Sequence, residues 1–472
     1  MAELGVRVYE LATEVSTPRV AAVSIPFVVG TAPVNRAEKP VAAMRPVLCT
    51  SWAEAVKQLG YSDDWKRYTL CEAMYSHFKL FGMQPVIFLN VLDPAAMRKD
   101  VEAAALAVSR HRAQIDAGAI PSSVTVKDGE DTLEAEVDYI LLYEDESCAV
   151  ELLEGGSHYE ASMLTVSYAA ADPEAVDEDD IVEGLDQVDR CMTVVGMTPD
   201  LILAPGWSHL TTVAAVMATK ADNVSGLFGG KALVDIPCGE DGVTDYTGLS
   251  AWKNEKNLVD PNQIACWPLG TMGDRRFHLS VQLAGLMAEV DSGNKGIPYE
   301  SPSNKNLKID GCCLEDGTEV SLTWPQVNLI AGSWGVVTAV NFMDTGWVAK
   351  GNYTACYPGN TDVKDQFIPV SRMFDFIRNT LIRTFWPKLD KPMNTALVRS
   401  LVTTCNTWLN GLTGGGYLNG ARVEVLADDN SVDKILDGII TLRIYNAPPV
   451  PAQEIDFLLC FDPSYMENAL SI

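Results

Sequence analysis

The 472-residue sequence predicts an α/β protein of several domains, with an inserted antiparallel β-sandwich, a C-terminal α+β domain and extended arms at both ends. Three observations carry that prediction. From about Ile181 to Val340, short apolar strands alternate with helical stretches, the βαβ rhythm of a mainly parallel sheet. Before it, residues 113–180 break into short alternating strands separated by turn residues, the pattern of a small sandwich. Both termini read as strands detached from a core. The length itself exceeds a single core, because chains split into domains beyond about 250–300 residues. The division that follows is a 1–24 arm, a 25–112 first part of the core, the 113–180 insertion, a 181–350 α/β domain, a 351–446 C-terminal domain and a 447–472 arm.

Taken in order, Leu4 to Val29 reads as extended, with Val6 and Val8 alternating with polar neighbours and Pro18 breaking the run. Ser51-x-x-Glu54 is a capping box that opens a helix. A second helix, Trp65 to Phe81, stops at Gly82 and feeds the apolar strand Val86 to Leu92. A short helix is expected over Ala103 to Arg112. Strands follow at 122–126, 138–143, 149–153 and 163–168, broken by Asp128-Gly129 and Gly155-Gly156. In the α/β region, strands at 201–204, 232–236 and 264–267 alternate with helices at 208–220, 250–257 and 279–290. The last third holds helices at 369–385 and 393–412, strands at 422–426 and 439–445, then the break Ala447-Pro-Pro-Val-Pro451 and a final extended run, 454–461.

Charge narrows the function. The net charge is −28, and residues 116–189 hold 22 acidic residues against the single base Lys127. That distribution excludes nucleic acid and anionic membranes as partners, since both are bound through Lys and Arg. No apolar run reaches the roughly 18 residues of a membrane span. Eleven scattered cysteines, without CxxC or zinc spacing, read as reduced buried thiols and imply neither metal nor disulfide framework. The opening Met1-Ala-Glu-Leu-Gly-Val carries no secretory pattern, so folding in the cytoplasm is expected.

Free terminal strands matter because their N–H and C=O groups must join some sheet, either their own or a neighbour's. An arm of about 20 residues reaches on the order of 60 Å, far enough to cross to an adjacent subunit. The alternating residues that would line such arms are Val6, Val8 and Tyr9 at one end and Ile455, Phe457, Leu459 and Phe461 at the other.

Several segments together resemble contractile phage tail sheath proteins. They are Gly5-Val-Arg-Val-Tyr-Glu10, Phe27-Val-Val-Gly-Thr-Ala-Pro33, Pro46 to Ala55 with Gly60-Tyr61, Val370-Ser-Arg372, Phe376-Ile-Arg378, Trp408-Leu, Gly420, and Pro451-Ala-Gln-Glu-Ile455. Residues 133–168 resemble that family's β-sandwich insertion, and 181 to about 340 its subtilisin-like domain. The resemblance implies a homo-oligomeric structural subunit of a phage, bacteriocin or related injection system, made in the bacterial host cytoplasm and then carried in the tail. It implies six-fold rings stacked helically around an inner tube, contraction that drives the tube through an envelope, and contacts with the tube, baseplate and tail terminator proteins. The C-terminal domain would face the tube. In 364–399 seven bases outnumber three acids, so Arg372, Arg378 and Arg383 are the residues expected to touch it.

No catalytic or cofactor site is expected. Only His209 and His278 of the five histidines fall in the α/β region, and neither has a His-Gly-Thr setting. Asp344-Thr-Gly346 resembles a protease aspartate motif but follows both histidines, and Gly270-Thr-Met272 lacks the nucleophilic serine. Ser225 to Ala232 approaches a phosphate loop, yet needs glycine at Ser225 and a hydroxyl at Ala232, so it reads as a turn before a strand. Asp177-Glu-Asp-Asp180 reads as a solvated linker. The competing readings are an α/β hydrolase with a β-sandwich accessory domain, and an adhesin-type binding protein.

Overall fold

A computed structural model describes residues 18–144, 147–343 and 345–470. Val6, Val8, Tyr9 and Asp344, named above, lie outside the described residues. The centre is an eight-stranded mixed sheet. Its first three strands, β1 (Pro26–Gly30), β2 (Val47–Cys49) and β3 (Val86–Asn90), come from the N-terminal part of the chain.

The chain then leaves the sheet for an insertion of seven strands: β4 (Arg98–Ala107), β5 (Arg112–Asp116), β6 (Thr125–Asp128), β7 (Asp131–Thr132), β8 (Tyr139–Tyr143), β9 (Ser147–Leu152) and β10 (Met163–Ala171). They form two sheets, β4-β10-β6-β7 and β5-β9-β8, around a core that includes Ile115, Val126, Val150, Leu164 and Val166. The expected sandwich is present, but it begins at Arg98 rather than 113 and its last strand ends at Ala171. The helix expected over Ala103 to Arg112 is instead the second half of β4 and the turn into β5, with β4 paired antiparallel to β10 from Arg98↔Ala171 to Ala107↔Met163. Pairing with β10 overrides the helical preference of an alanine-rich run.

The run Asp177 to Asp180 is no linker either. Asp177 caps helix Glu178–Asp186, accepting from the amides of Asp179 and Asp180, while Asp180 accepts from the Asp177 amide. Acidic side chains at a helix N-terminus complement its dipole. Ile181 and Leu185 then bury that helix against the main sheet.

The chain returns with β11 (Leu201–Leu203), β12 (Lys231–Asp235) and β13 (Gln263–Cys266). A three-stranded flap, β14 (Leu269–Met272), β15 (Arg275–Phe277) and β16 (Gly311–Cys313), precedes β17 (Val336–Asn341) and β18 (Trp347–Lys350). The sheet order is β18-β17-β13-β12-β11-β1-β3-β2, parallel from β17 to β3, with an antiparallel strand at each edge. Its inner strands are buried on both faces and read as near-continuous apolar runs. Alternate residues feed opposite layers: Phe27, Ile87, Ile202 and Val234 on one face, Val28, Phe88, Leu203 and Leu233 on the other. Helix Thr211–Asp222 covers the first face and helix Leu279–Gly293 the second. Segment 25–97 therefore belongs to the same domain as 200–350.

The C-terminal part packs helices Ile368–Phe385 and Thr395–Gly414 against an antiparallel ribbon, β19 (Gly420–Glu424) with β20 (Arg443–Ala447). Phe376, Leu409 and Leu412 centre this core, which also takes Ala21 and Val23 from the N-terminal segment. No helix among the described residues is long and apolar enough to cross a membrane.

Candidate intersubunit interface

Helix Ile368–Phe385 carries all three arginines expected to face an inner tube, and its surroundings correct that expectation for Arg372. Arg372 is 3% exposed and lies inside the molecule. Its guanidinium donates to Asp291 Oδ2 at 2.5 Å and to Ser24 Oγ at 2.9 Å, with Asp200 Oδ2 at 3.9 Å. Asp200 in turn accepts the amides of Ser24 and Ile25 at 2.9 and 2.7 Å. Ser24 has φ +53, a left-handed conformation that a serine holds only under such constraint. Burial pushes the Asp200 carboxyl up to about 6 against the opposing pull of Arg372. A charge this deep is tolerable only when paired, so this network fixes where the N-terminal segment leaves the core. One turn on, Lys231, 1% exposed, meets Asp375 Oδ2 at 2.6 Å.

Arg378 is half-buried and spends its donors on the end of helix Thr211–Asp222: Leu227 O at 2.9 Å, Asp222 O at 2.8 Å and Asn223 Oδ1 at 3.1 Å. Arg383 is half-buried over the Phe228 ring at 5.8 Å. The spacing of basic residues marks none of this, because Ser24, Asp200 and Asp291 are remote in sequence.

The C-terminal arm is different. Between Val450 and Phe461 no amide donates a backbone hydrogen bond within the described chain. Ile455, Phe457, Leu459 and Phe461 are 70, 83, 97 and 81% exposed. Beside this unsatisfied segment stands the β19–β20 ribbon, in which each strand pairs only with the other among the described residues. A two-stranded ribbon is marginal alone and gains from a third strand.

A second constellation sits in a cleft of about 410 Å³ at the carboxyl ends of β11, β12 and β13, where open α/β sheets bind ligands. His278 Nδ1 lies 2.7 Å from Glu72 Oε2, and Asp235 accepts the amide of Ser280 at 2.9 Å and its hydroxyl at 2.5 Å. Burial opposes charging of His278, yet Glu72 and Asp235 hold it up at about 9. Ser208 Oγ accepts the Asp235 amide at 3.0 Å and leans on its carboxylate at 3.4 Å. Burial pushes the Cys238 thiol up to about 11. His209, held low by burial and then by His278, shares no hydrogen bond with either. Both serine hydroxyls thus meet the Asp235 carboxylate, and among the described residues no hydroxyl or thiol of the cleft hydrogen-bonds to His209 or His278, the pairing that serine–histidine acyl transfer uses. Among the described residues no group of three or more His, Cys, Asp or Glu could hold a metal ion.

No protein-family model and no curated protein matches the sequence. Solved structures do. The PVC sheath complex of an extracellular contractile injection system, in its contracted state, superposes with a TM-score of 0.60 at 14% identity, covering 98% of this chain and 99% of that one. The chain has the sheath-protein fold. The contracted helical sheath of the anti-feeding prophage gives a TM-score of 0.58 at 16% identity over 98% and 100% of the two chains. A sheath tail protein from Desulfitobacterium hafniense gives 0.52 at 12% identity over 90% and 94%. These similarities run along nearly the whole of this chain.

Proposed function

We propose that the chain is a structural subunit of a contractile tail sheath, built as six-fold rings stacked around an inner tube, that shortens to drive the tube through an envelope. The observation that carries this is the arm 450–461, apolar at alternate positions from Ile455 to Phe461, exposed and without backbone pairing among the described residues, in a chain that follows the sheath fold over 98% of its length. Strand addition to a neighbouring copy supplies the partners that the arm lacks at home. The β19–β20 ribbon supplies a receiving edge. Contraction then draws on the difference between two packings of the same subunits, so no nucleotide site is needed. Contacts with tube, baseplate and terminator proteins and a subtilisin-like core belong to the same reading. The hydrolase alternative is disfavoured because 98% of the chain follows the fold of a sheath protein.

Negative-stain electron microscopy of the purified chain tests the proposal. Hollow striated tubes are expected, and a compact monomer at high concentration overturns it.

A further inference from the structure

Two surface patches in the C-terminal region match in chemistry and oppose in charge. The connection between β19 and β20 holds one helical turn, Val432–Leu436. Its Val432, Ile435, Leu436 and Ile439 fall at i, i+3, i+4 and i+7 and are 72, 48, 79 and 50% exposed. Val432, Ile435 and Leu436 make a short apolar stripe, of the kind that ordinarily faces a core, and Ile439 follows it past Gly438, whose φ of +78 ends the helix. The turn is firmly built: Ser431 caps it, and Asn430 ties its two ends by donating to Leu426 O and Thr441 O, both at 2.9 Å, and accepting from the Thr441 amide at 2.7 Å. Asp433 and Asp437 rim the stripe, and neither has a basic partner among the described residues.

The second patch lies at the end of helix Ile368–Phe385. A cavity of about 540 Å³ is lined there mainly by Val20, Met192, Leu227, Phe228, Ile382 and Trp386. Trp386 is 58% exposed and Leu389, just beyond, 60%. Arg19 and Arg383 line the cavity, and Lys388 and Lys391 follow Trp386 in the chain with Asp390 between them; none of these four bases has an ion-pair partner among the described residues. Asp189 at the mouth is already engaged by Lys220 at 2.7 Å.

We infer that the Val432–Ile439 turn of one copy seats in the Trp386 cavity of another, with Asp433 and Asp437 meeting Lys388 and Lys391. A second copy is the occupant because each chain carries one patch of each kind, apolar at its centre and opposite in charge at its rim. Joining two different patches is a head-to-tail contact, the kind that continues into a filament instead of closing a dimer. This assigns Lys388 and Lys391 to contacts between subunits. It rests on the sheath reading and adds a second contact to the arm.

Charge reversal tests it, since all four residues lie at the surface. Lys388→Glu with Lys391→Glu, and separately Asp433→Lys with Asp437→Lys, are each expected to raise the critical concentration for polymerisation at least about tenfold, with unchanged melting of the subunit. All four together restore it to within about threefold of wild type. Reversals that polymerise like wild type, or a quadruple variant no better than the worse double, overturn the contact and leave the sheath reading standing. Reversals that polymerise normally but fail to load on purified inner tubes assign the basic patch to the tube and also overturn it. A wild-type chain that forms no polymer overturns the sheath reading itself, and the contact with it.

Discussion

The eight-stranded sheet and the C-terminal ribbon with its arm are made of similar residues and end in opposite conditions. In the sheet, Phe27, Phe88 and Ile264 are fully buried and helices cover both faces. In the arm, Phe457 and Leu459 keep 83 and 97% of their surface, and in the β19–β20 connection Leu436 keeps 79%. One region is complete as a single chain. The other leaves hydrophobic surface uncovered by the described residues, and on the proposed reading that surface serves assembly, so that folding and assembly draw on separate residues.

The largest way to break that comparison is to cut the chain after Ala447. Polymerisation should vanish while the melting curve of the sheet stays in place; a parallel loss of thermal stability would mean that the arm supports its own subunit. Next, Arg372→Met should destabilise the subunit by roughly 3–5 kcal/mol in urea, because Asp291 and Asp200 stay buried without their cation. Phe27→Ala belongs in the same range, whereas Phe457→Ala should change stability by less than about 0.5 kcal/mol and weaken only assembly.

The His278 pair sharpens the contrast through pH. Its folded pKa is raised to about 9, so its contribution is fully present below the unfolded value near 6.5 and is lost as pH rises through about 9. Stability measured from pH 6 to pH 10 should decline over that window, and His278→Gln should flatten the decline. A modest effect, about 1 kcal/mol, is expected of Asp177→Ala, from loss of a helix cap.

The contrast also decides what was legible in the sequence. Runs such as 27–29, 86–89 and 232–234 announce themselves because strands buried on both faces are nearly continuously apolar. The arm is equally plain, since Ile455, Phe457, Leu459 and Phe461 alternate beyond a proline break. Strand β4 is hidden, because Ala103, Ala104 and Ala105 favour a helix locally and only β10, some sixty residues away, makes them a strand. Arg372 is hidden for a related reason. A basic residue in a helix looks solvated until Asp200 and Asp291 arrive from other elements to receive it. Buried ion networks are products of tertiary approach and leave no local pattern.

The bare arm also governs the life of a newly made subunit. A segment with Phe457, Leu458, Leu459 and Phe461 in water and unclaimed amides is a ready template for indiscriminate pairing. Production of the chain without its assembly partners should therefore favour precipitates as concentration climbs. A cell that stockpiles it needs either prompt incorporation or an escort that covers those dozen residues until a growing end takes them.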